Sequence, residues 1–191
     1  MKQRAERSKV LIFHGTGGSP EGNWFPWLKQ KLVQRWCKVF IPKFPDPRQG
    51  NSLPAWLKIL KKYEGYIDEN TILVGHSLGG LFLLRVLERI KKPIKAAFLV
   101  ATSIGVKPIL YYESDKLFSG FDFDWTTIKS KARHFEVFHS DNDPYVSLGN
   151  GEELAKHLGV KLTFISKAGH INAESGYTEM KPLLKKILRI L

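Results

Sequence analysis

Short apolar runs rich in β-branched residues alternate along the chain with segments of helical periodicity. In one such segment Leu53, Trp56, Leu57 and Leu60 have the i, i+3, i+4, i+7 spacing of a buried helix face. Strands are predicted at 10–13, 38–41, 71–74, 96–100, 134–138 and 161–165, and helices at about 24–36, 52–63, 79–91, 151–158 and 180–191. Uniformly apolar strands separated by helices are typical of a mostly parallel sheet with helices on both faces.

One connection is much longer than the others. Between the fourth and fifth predicted strands lie about thirty residues, 102–132, that are rich in Phe, Tyr and Trp. A chain of 191 residues suits one domain, so a single α/β domain over 1–191 is predicted. Within it, 102–132 is a candidate short cap insertion over the site.

A glycine-rich turn follows the third predicted strand. Residues 75–80 read Gly-His-Ser-Leu-Gly-Gly, between the apolar run ending at Val74 and the helical pattern from Leu81. G-x-S-x-G between a strand and a helix is the nucleophile elbow of α/β-hydrolases, which makes Ser77 the candidate nucleophile. The turn also places the Leu78 N–H at the positive end of a helix, where it can donate to a developing oxyanion.

The loop after the first predicted strand is a second glycine-rich turn. It reads His14-Gly15-Thr16-Gly17-Gly18, and we assign a second oxyanion-hole donor to the Thr16 N–H, with Gly15 shaping the turn; a neighbouring residue is the alternative. A phosphate-binding loop is disfavoured, because neither G-x-G-x-x-G nor a following Lys-Ser or Lys-Thr is present.

The acid and base of a triad are expected after the last two strands. Asp141 and Asp143 follow the fifth predicted strand, and His170 lies in the loop before the last helix. We prefer Asp143, because the Asp-Pro-Tyr-Val stretch that it begins resembles the usual acid loop of the superfamily. Asp141 is the alternative, and we expect it instead to bond backbone amides of its own turn.

The other five histidines have less specific settings. His134, His139 and His157 are interpreted as strand-edge or helix-surface residues, and His14 and His76 as neighbours of the site. No clustered Cys/His spacing or helical H-x-x-x-H accompanies them, so neither a metal nor another cofactor is expected.

Composition and charge limit the alternatives. Hydrophobic residues make up 43% and charged residues 25%, as in ordinary globular proteins, and no apolar run is long enough to cross a bilayer. The net charge of +12 comes from Lys and Arg spread over the whole chain. Arg85, Glu88 and Arg89, for instance, are assigned to a solvated helix edge. We expect a cytoplasmic protein with no specific nucleic-acid or membrane partner; Cys37, the sole cysteine, allows no intrachain disulfide.

Several blocks together resemble the small serine hydrolases grouped with retinoblastoma-binding protein 9 and its YdeN-like bacterial relatives. The resemblance extends over most of the chain. It rests on His14-Gly15, 23–27 (Asn-Trp-Phe-Pro-Trp), Pro42, 45–47 (Pro-Asp-Pro), Gly75–Gly80, Asp141–Val146 and Gly169–Tyr177. The segment 104–128 is longer and more aromatic than the family pattern.

The resemblance implies a reduced α/β-hydrolase fold, with three layers and a six-stranded sheet in the order 2-1-3-4-5-6. The family's triad maps onto Ser77, Asp143 and His170. Five residues are candidates to line a substrate pocket, and a small apolar acyl group is expected if the aromatic ones face the serine. They are Gly15, Trp24, His76, Phe118 and Trp125.

The leading hypothesis is therefore a serine hydrolase that cleaves small carboxylic esters through an acyl-enzyme, without a cofactor. An aminopeptidase or amidase would use the same triad, so the substrate is expected to be a small ester or amide. A binding protein that keeps the hydrolase fold without turnover is the alternative from another class, and it would imply a protein partner.

Overall fold

The computed structural model describes residues 7–49 and 52–191; residues 1–6 and 50–51 of the predicted domain lie outside the described residues. The six strands are β1 (Lys9–Phe13), β2 (Lys38–Phe40), β3 (Thr71–His76), β4 (Ala96–Val100), β5 (Phe135–His139) and β6 (Leu162–Phe164). The α-helices are α1 (Phe25–Val33), α2 (Leu53–Leu60), α3 (Leu78–Leu87), α4 (Tyr112–Ser119), α5 (Trp125–Ser130), α6 (Leu148–Leu158) and α7 (Lys181–Leu188). Short 3₁₀ turns cover Pro47–Gln49, Lys61–Tyr66 and Ala173–Ser175.

All the strand pairs of the sheet are parallel, and the strand order is β2-β1-β3-β4-β5-β6. The expected fold class is therefore confirmed. The order reverses between β1 and β3, where the chain first runs outward to β2 and then returns. In such sheets, ligands bind at the carboxyl ends of the strands near this reversal. The loop after β1 and the turn after β3 are both at that place.

Alternate residues of the strands supply two separate hydrophobic cores. On one face, Leu11 and Leu73 pack with the helices α2, α3 and α6. On the other face, Val10 and Ile72 pack with α1 and α7. Because successive side chains of a strand point to opposite sides, these apolar strands need a helical layer on each face. The three-layer prediction is confirmed.

The predicted helices exist, although their boundaries differ by a few residues from the sequence pattern. Helix α6 begins at Leu148 rather than at 151, because Gly149 and Gly151 hide the signal of its first turn. Gly151 is needed there, since a Cβ on it would lie 2.6 Å from the Cβ of His139. The connection 102–132 is not irregular throughout but contains α4 and α5.

Arg85 holds the connection 102–132 against α3, which corrects its assignment to a solvated helix edge. Its side chain is only 9% exposed, and its Nη1 donates to Glu88 at 2.6 and 2.8 Å. Its Nη2 donates to the carbonyl oxygens of Ser119, at 2.7 Å, and Asp122. The guanidinium also lies 4.4 Å from the ring centre of Phe123. Polar partners from the connection, which the helix pattern alone does not show, offset the cost of burying this cation.

Among the described residues, no helix combines the length and the apolar character that a membrane crossing requires.

Candidate active site

Ser77 occupies the sharp turn between β3 and α3. Its backbone angles are φ 56° and ψ −127°, in a region that residues other than glycine rarely adopt. The Ser77 N–H is bonded to the carbonyl oxygen of Val100 at the end of β4, 2.9 Å away. Helix α3 crosses β1 so closely that a Cβ on Gly79 would lie 2.2 Å from the oxygen of Phe13. The turn therefore has the strained geometry and the close packing of a nucleophile elbow.

Asp143 and His170 meet at the ends of the last two strands. His170 Nδ1 lies 2.7 Å from Asp143 Oδ2, and the side chains are 8% and 0% exposed respectively. The other carboxylate oxygen accepts hydrogen bonds from the N–H groups of Tyr145 at 2.8 Å and Val146 at 3.1 Å. Burial opposes ionisation of Asp143, but the bond from His170 and the two amide bonds hold its pKa below the usual range.

An ionised carboxylate only accepts hydrogen bonds, so the proton of neutral His170 resides on Nδ1. The opposite ring nitrogen, Nε2, is then a bare acceptor. His170 and Ser77 line the same cavity, which has a volume of about 250 Å³. The structure thus brings the three predicted triad residues, from three widely separated segments, to one edge of the sheet.

Asp141, the alternative acid, points elsewhere. Its Oδ1 accepts a hydrogen bond from the backbone N–H of Lys167 at 2.7 Å, and its Oδ2 lies 3.3 Å from the Ser166 hydroxyl. The expected bonding to amides of its own turn is thus only part of its role, because Asp141 mainly ties the acid loop to the loop that carries His170.

The two predicted oxyanion-hole donors lie on either side of Ser77. Leu78 is the first residue of α3, so its N–H has no acceptor within the helix. Thr16 lines the cavity on the facing loop. This loop approaches the elbow closely only because residue 15 is glycine; a Cβ there would lie 2.8 Å from the Cβ of Ser77.

His76 supports the loop that carries His170. Its Nε2 lies 2.9 Å from the carbonyl oxygen of His170, and the two ring centres are 4.8 Å apart. Burial, together with the charge of His170, lowers the pKa of His76 to about 3. His76 is therefore neutral near pH 7, and the carbonyl needs a donor, so the tautomer with a proton on Nε2 is assigned.

Gly15 and His76 line the cavity, but the three aromatic candidates for pocket residues do not. Trp24 is fully buried between Phe25 and His76, and its Nε1 donates to the oxygen of Ile171 at 3.0 Å. Phe118 packs edge-on against Trp56 in the core between the sheet and α2. Trp125 stacks on His157 with ring centres 4.3 Å apart.

These placements correct the expectation of an apolar acyl pocket. The cavity is lined mainly by polar groups. Among those that sequence reasoning missed are Asn23, Arg48, Tyr111, Tyr145, Asn172 and Glu174. Four of these residues, Asn23, Tyr145, Asn172 and Glu174, lie within the blocks 23–27, 141–146 and 169–177 that carry the family resemblance, and Arg48 directly follows the block 45–47. Membership of those blocks was therefore the available signal.

His139 is a further residue whose setting was predicted wrongly. It is fully buried in the interior strand β5 rather than at a strand edge. Its Nε2 lies 3.0 Å from the carbonyl oxygen of Val146 and 3.8 Å from Asp143 Oδ2. Burial lowers the pKa of His139, so a neutral ring packs behind the acid. Within residues 7–49 and 52–191, no group of three or more His, Cys, Asp or Glu side chains is arranged to hold a metal ion.

The parallel sheet, the strained serine turn and the Asp–His pair define the class of α/β-hydrolase-fold proteins. A family model described as "Serine hydrolase" matches residues 10–189. The chain belongs to this serine hydrolase family, and it is a hydrolase.

Individual relatives agree with the family. The Bacillus subtilis (strain 168) protein YdeN is 32% identical over 182 residues, covering 94% of each chain. The serine hydrolase RBBP9 of Rattus norvegicus is 27% identical over 189 residues, covering 96% of this chain and 97% of the relative. The crystal structure of the B. subtilis ydeN gene product matches with a TM-score of 0.87 and 29% identity, over 96% of this chain and 98% of that one.

Proposed function

We propose that the protein hydrolyses small carboxylic esters through an acyl-enzyme on Ser77, with His170 as general base and acid and Asp143 orienting the imidazole. One observation carries this proposal. The 2.7 Å contact between His170 Nδ1 and Asp143 leaves Nε2 as a bare acceptor at the cavity that Ser77 also lines. A serine hydroxyl is a weak nucleophile at neutral pH, and such a base is what activates it.

In the acylation step, the Ser77 Oγ attacks the carbonyl carbon of the ester while its proton passes to His170 Nε2. The carbonyl oxygen becomes an oxyanion, for which the N–H groups of Thr16 and Leu78 are the proposed donors. The tetrahedral intermediate collapses when the bond to the alcohol oxygen breaks. His170 returns the proton to that oxygen, and the alcohol leaves.

In the deacylation step, His170 takes a proton from water as the water oxygen attacks the acyl carbon. Collapse of the second intermediate breaks the bond to Ser77 Oγ, and the proton returns to that oxygen. The products are a carboxylic acid and the free enzyme. Asp143 stays ionised throughout and stabilises the imidazolium form of His170.

Labelling with a fluorophosphonate probe tests whether Ser77 is an activated nucleophile. We expect the wild-type protein to gain one adduct, located on Ser77 by mass spectrometry, and Ser77→Ala to gain none. A folded wild-type protein that stays unlabelled would favour a binding protein without turnover. Comparing p-nitrophenyl acetate and butyrate with aminoacyl p-nitroanilides then separates an esterase from an amidase, which the shared triad does not distinguish.

The two neighbouring aspartates provide a matched pair of variants. Asp143→Asn removes the acceptor that fixes the His170 tautomer, so kcat for the butyrate ester is expected to fall on the order of 10³- to 10⁴-fold. Asp141→Asn keeps an oxygen near the Lys167 amide and does not touch His170, so a far smaller loss is expected. A larger effect at position 141 than at 143 would overturn the assignment of the acid.

A further inference from the structure

A guanidinium group lies beside the loop that follows β1. Arg48, in the 3₁₀ turn Pro47–Gln49, lines the same cavity as Ser77. Its Nη2 and Cζ are 2.6 and 3.2 Å from the position that a Cβ on Gly17 would take. Gly17 also has a φ of +64°, so a side chain there is disfavoured for two reasons. The guanidinium therefore rests directly on the backbone next to Thr16.

Asp46 holds this guanidinium in a fixed orientation. Arg48 Nε lies 3.1 and 3.0 Å from the two carboxylate oxygens of Asp46, and Nη2 lies 2.5 Å from Oδ2. The backbone N–H of Arg48 donates to the same carboxylate at 3.0 Å. Asp46 thus occupies the Nε–Nη2 edge, which leaves the edge formed by Nη1 and Nη2 turned away from it. Tyr111, which also lines the cavity, is close enough to interact with the guanidinium.

We propose that Arg48 binds a carboxylate group of the substrate, so that the preferred esters of this enzyme carry an anionic group a few atoms from the scissile bond. The inference rests on the proposed function, because it takes Ser77 as the reacting atom. A planar edge with two N–H donors matches a carboxylate, whereas a neutral alkyl group offers those donors no acceptor of its own. The cavity volume of about 250 Å³ lies below the roughly 300–1,000 Å³ of pockets for drug-sized ligands, which favours a small ligand.

The charges around the cavity set the expected size of the effect. Asp46 balances the charge of Arg48, and Glu174 is a second carboxylate that lines the cavity. The Glu174 carboxylate already accepts hydrogen bonds from the Tyr145 hydroxyl at 2.7 Å and the Asn172 amide at 3.4 Å. Selectivity thus comes from directed N–H donors rather than from a net positive potential. The Arg48 side chain is half exposed, so we expect a preference on the order of tenfold.

Two esters of equal length provide the test. The p-nitrophenyl monoester of succinate differs from p-nitrophenyl butyrate by a carboxylate in place of the terminal methyl group. The ratio of kcat/KM for the succinate ester to that for the butyrate ester is expected to fall about tenfold in Arg48→Gln, and less in Arg48→Lys. Spontaneous hydrolysis of each ester, measured with Ser77→Ala, is subtracted. Arg189→Gln, which removes an exposed arginine outside the cavity lining, controls for the loss of one positive charge.

An unchanged ratio in Arg48→Gln, or the same fall in Arg189→Gln, would overturn the inference. A binding measurement keeps it independent of turnover. Calorimetry with monomethyl succinate and the Ser77→Ala protein is expected to detect binding that weakens about tenfold when Arg48→Gln is added. If the protein binds monomethyl succinate but shows neither labelling nor hydrolysis, the hydrolytic role of Ser77 would be refuted and the role of Arg48 would stand. If the protein hydrolyses both esters with a ratio of kcat/KM that does not depend on Arg48, the preference for anionic substrates would be refuted and the hydrolytic role of Ser77 would stand.

Discussion

The side-chain oxygen of Asn142 accepts a 2.7 Å hydrogen bond from the backbone N–H of Gly169, the residue directly before His170. The two preceding amides of that loop are held in the same way. The Ala168 N–H lies 2.9 Å from Ser140 Oγ, and the Lys167 N–H lies 2.7 Å from Asp141 Oδ1. Three consecutive side chains of the acid loop therefore bind three consecutive amides of the histidine loop, and this ladder sets the distance between Asp143 and His170.

Asn142→Ala removes the rung of this ladder nearest to His170. We expect kcat for a p-nitrophenyl ester to fall about tenfold, because small displacements of a general base are costly. The free energy of unfolding is expected to fall by only about 1 kcal/mol. Asn142→Asp keeps an acceptor oxygen and is expected to restore most of kcat. Full activity of the alanine variant would mean that the other two rungs position His170 without it.

The hydrogen bond from His76 to the carbonyl oxygen of His170 predicts a positioning role for a histidine that does not titrate near neutral pH. His76→Phe leaves that buried oxygen without a donor, so we expect at least a tenfold loss of kcat/KM. His76→Gln supplies an N–H at a similar reach and is expected to recover part of it. The measurement is kcat/KM from pH 5 to 9. If His76→Phe removed an ionisation from this profile, His76 would have to act as a titrating group instead.

The burial of Asp115 predicts that replacing this residue stabilises the protein, by an amount that depends on pH. It is buried on α4, and this burial raises its pKa to about 6, although Ser103 and His170 oppose the shift. In the unfolded chain an aspartate ionises near pH 3.9. Between these values the folded state binds more protons, so this group makes the wild-type protein less stable as the pH rises from 4 to 6.

Asp115→Asn removes that loss, because an amide carries no charge to desolvate. We expect the variant to be more stable than the wild type by roughly 1–3 kcal/mol at pH 7, and the difference to shrink towards pH 4. Urea unfolding of both proteins at pH 4, 5, 6 and 7 measures it. Both proteins share the buried histidines, so the comparison isolates Asp115. A difference that stays constant with pH would contradict the prediction.

The contacts of Arg85 predict that the packing of the connection 102–132 against α3 depends on this one buried cation. Arg85→Met breaks the contacts to Glu88, Ser119 and Asp122 and leaves Glu88 only 13% exposed beside Arg89. We expect the free energy of unfolding to fall by about 2–4 kcal/mol, and the amides of α4 to exchange hydrogen faster. Arg89→Met, at a side chain that is 46% exposed, is the matched control and should cost less than about 1 kcal/mol. Equal losses in the two variants would show that Arg85 has no special role.

Local sequence patterns predicted much of the architecture. A strand, a G-x-S-x-G turn and a helix are contiguous in the chain, so Ser77 was found without knowing any distant contact. The alternation of apolar strands and amphipathic helices likewise predicted a parallel sheet covered on both faces. The strand order came from the family resemblance, and the observed pairing of the strands confirms it.

The errors share a cause. Periodicity indicates that a side chain is buried or exposed on average, but not which distant segment covers it. Arg85 has the spacing of a solvated helix edge, but the last residue of α4 and the turn after it bring carbonyl oxygens to its guanidinium. Phe118 and Trp125 lie in an aromatic segment that suggests a cap. Phe118 instead packs against Trp56, and Trp125 packs against His157.

The sequence by itself determined the class of fold, the position of the serine turn and the short range of residues that could supply the acid and the base. Only the tertiary structure decided that Asp143 rather than Asp141 reaches His170, and that polar groups line the cavity. The two aspartates are chemically identical and two positions apart. What separates them is the course of the acid loop against the histidine loop, and that course is set by hydrogen bonds between segments about 27 residues apart.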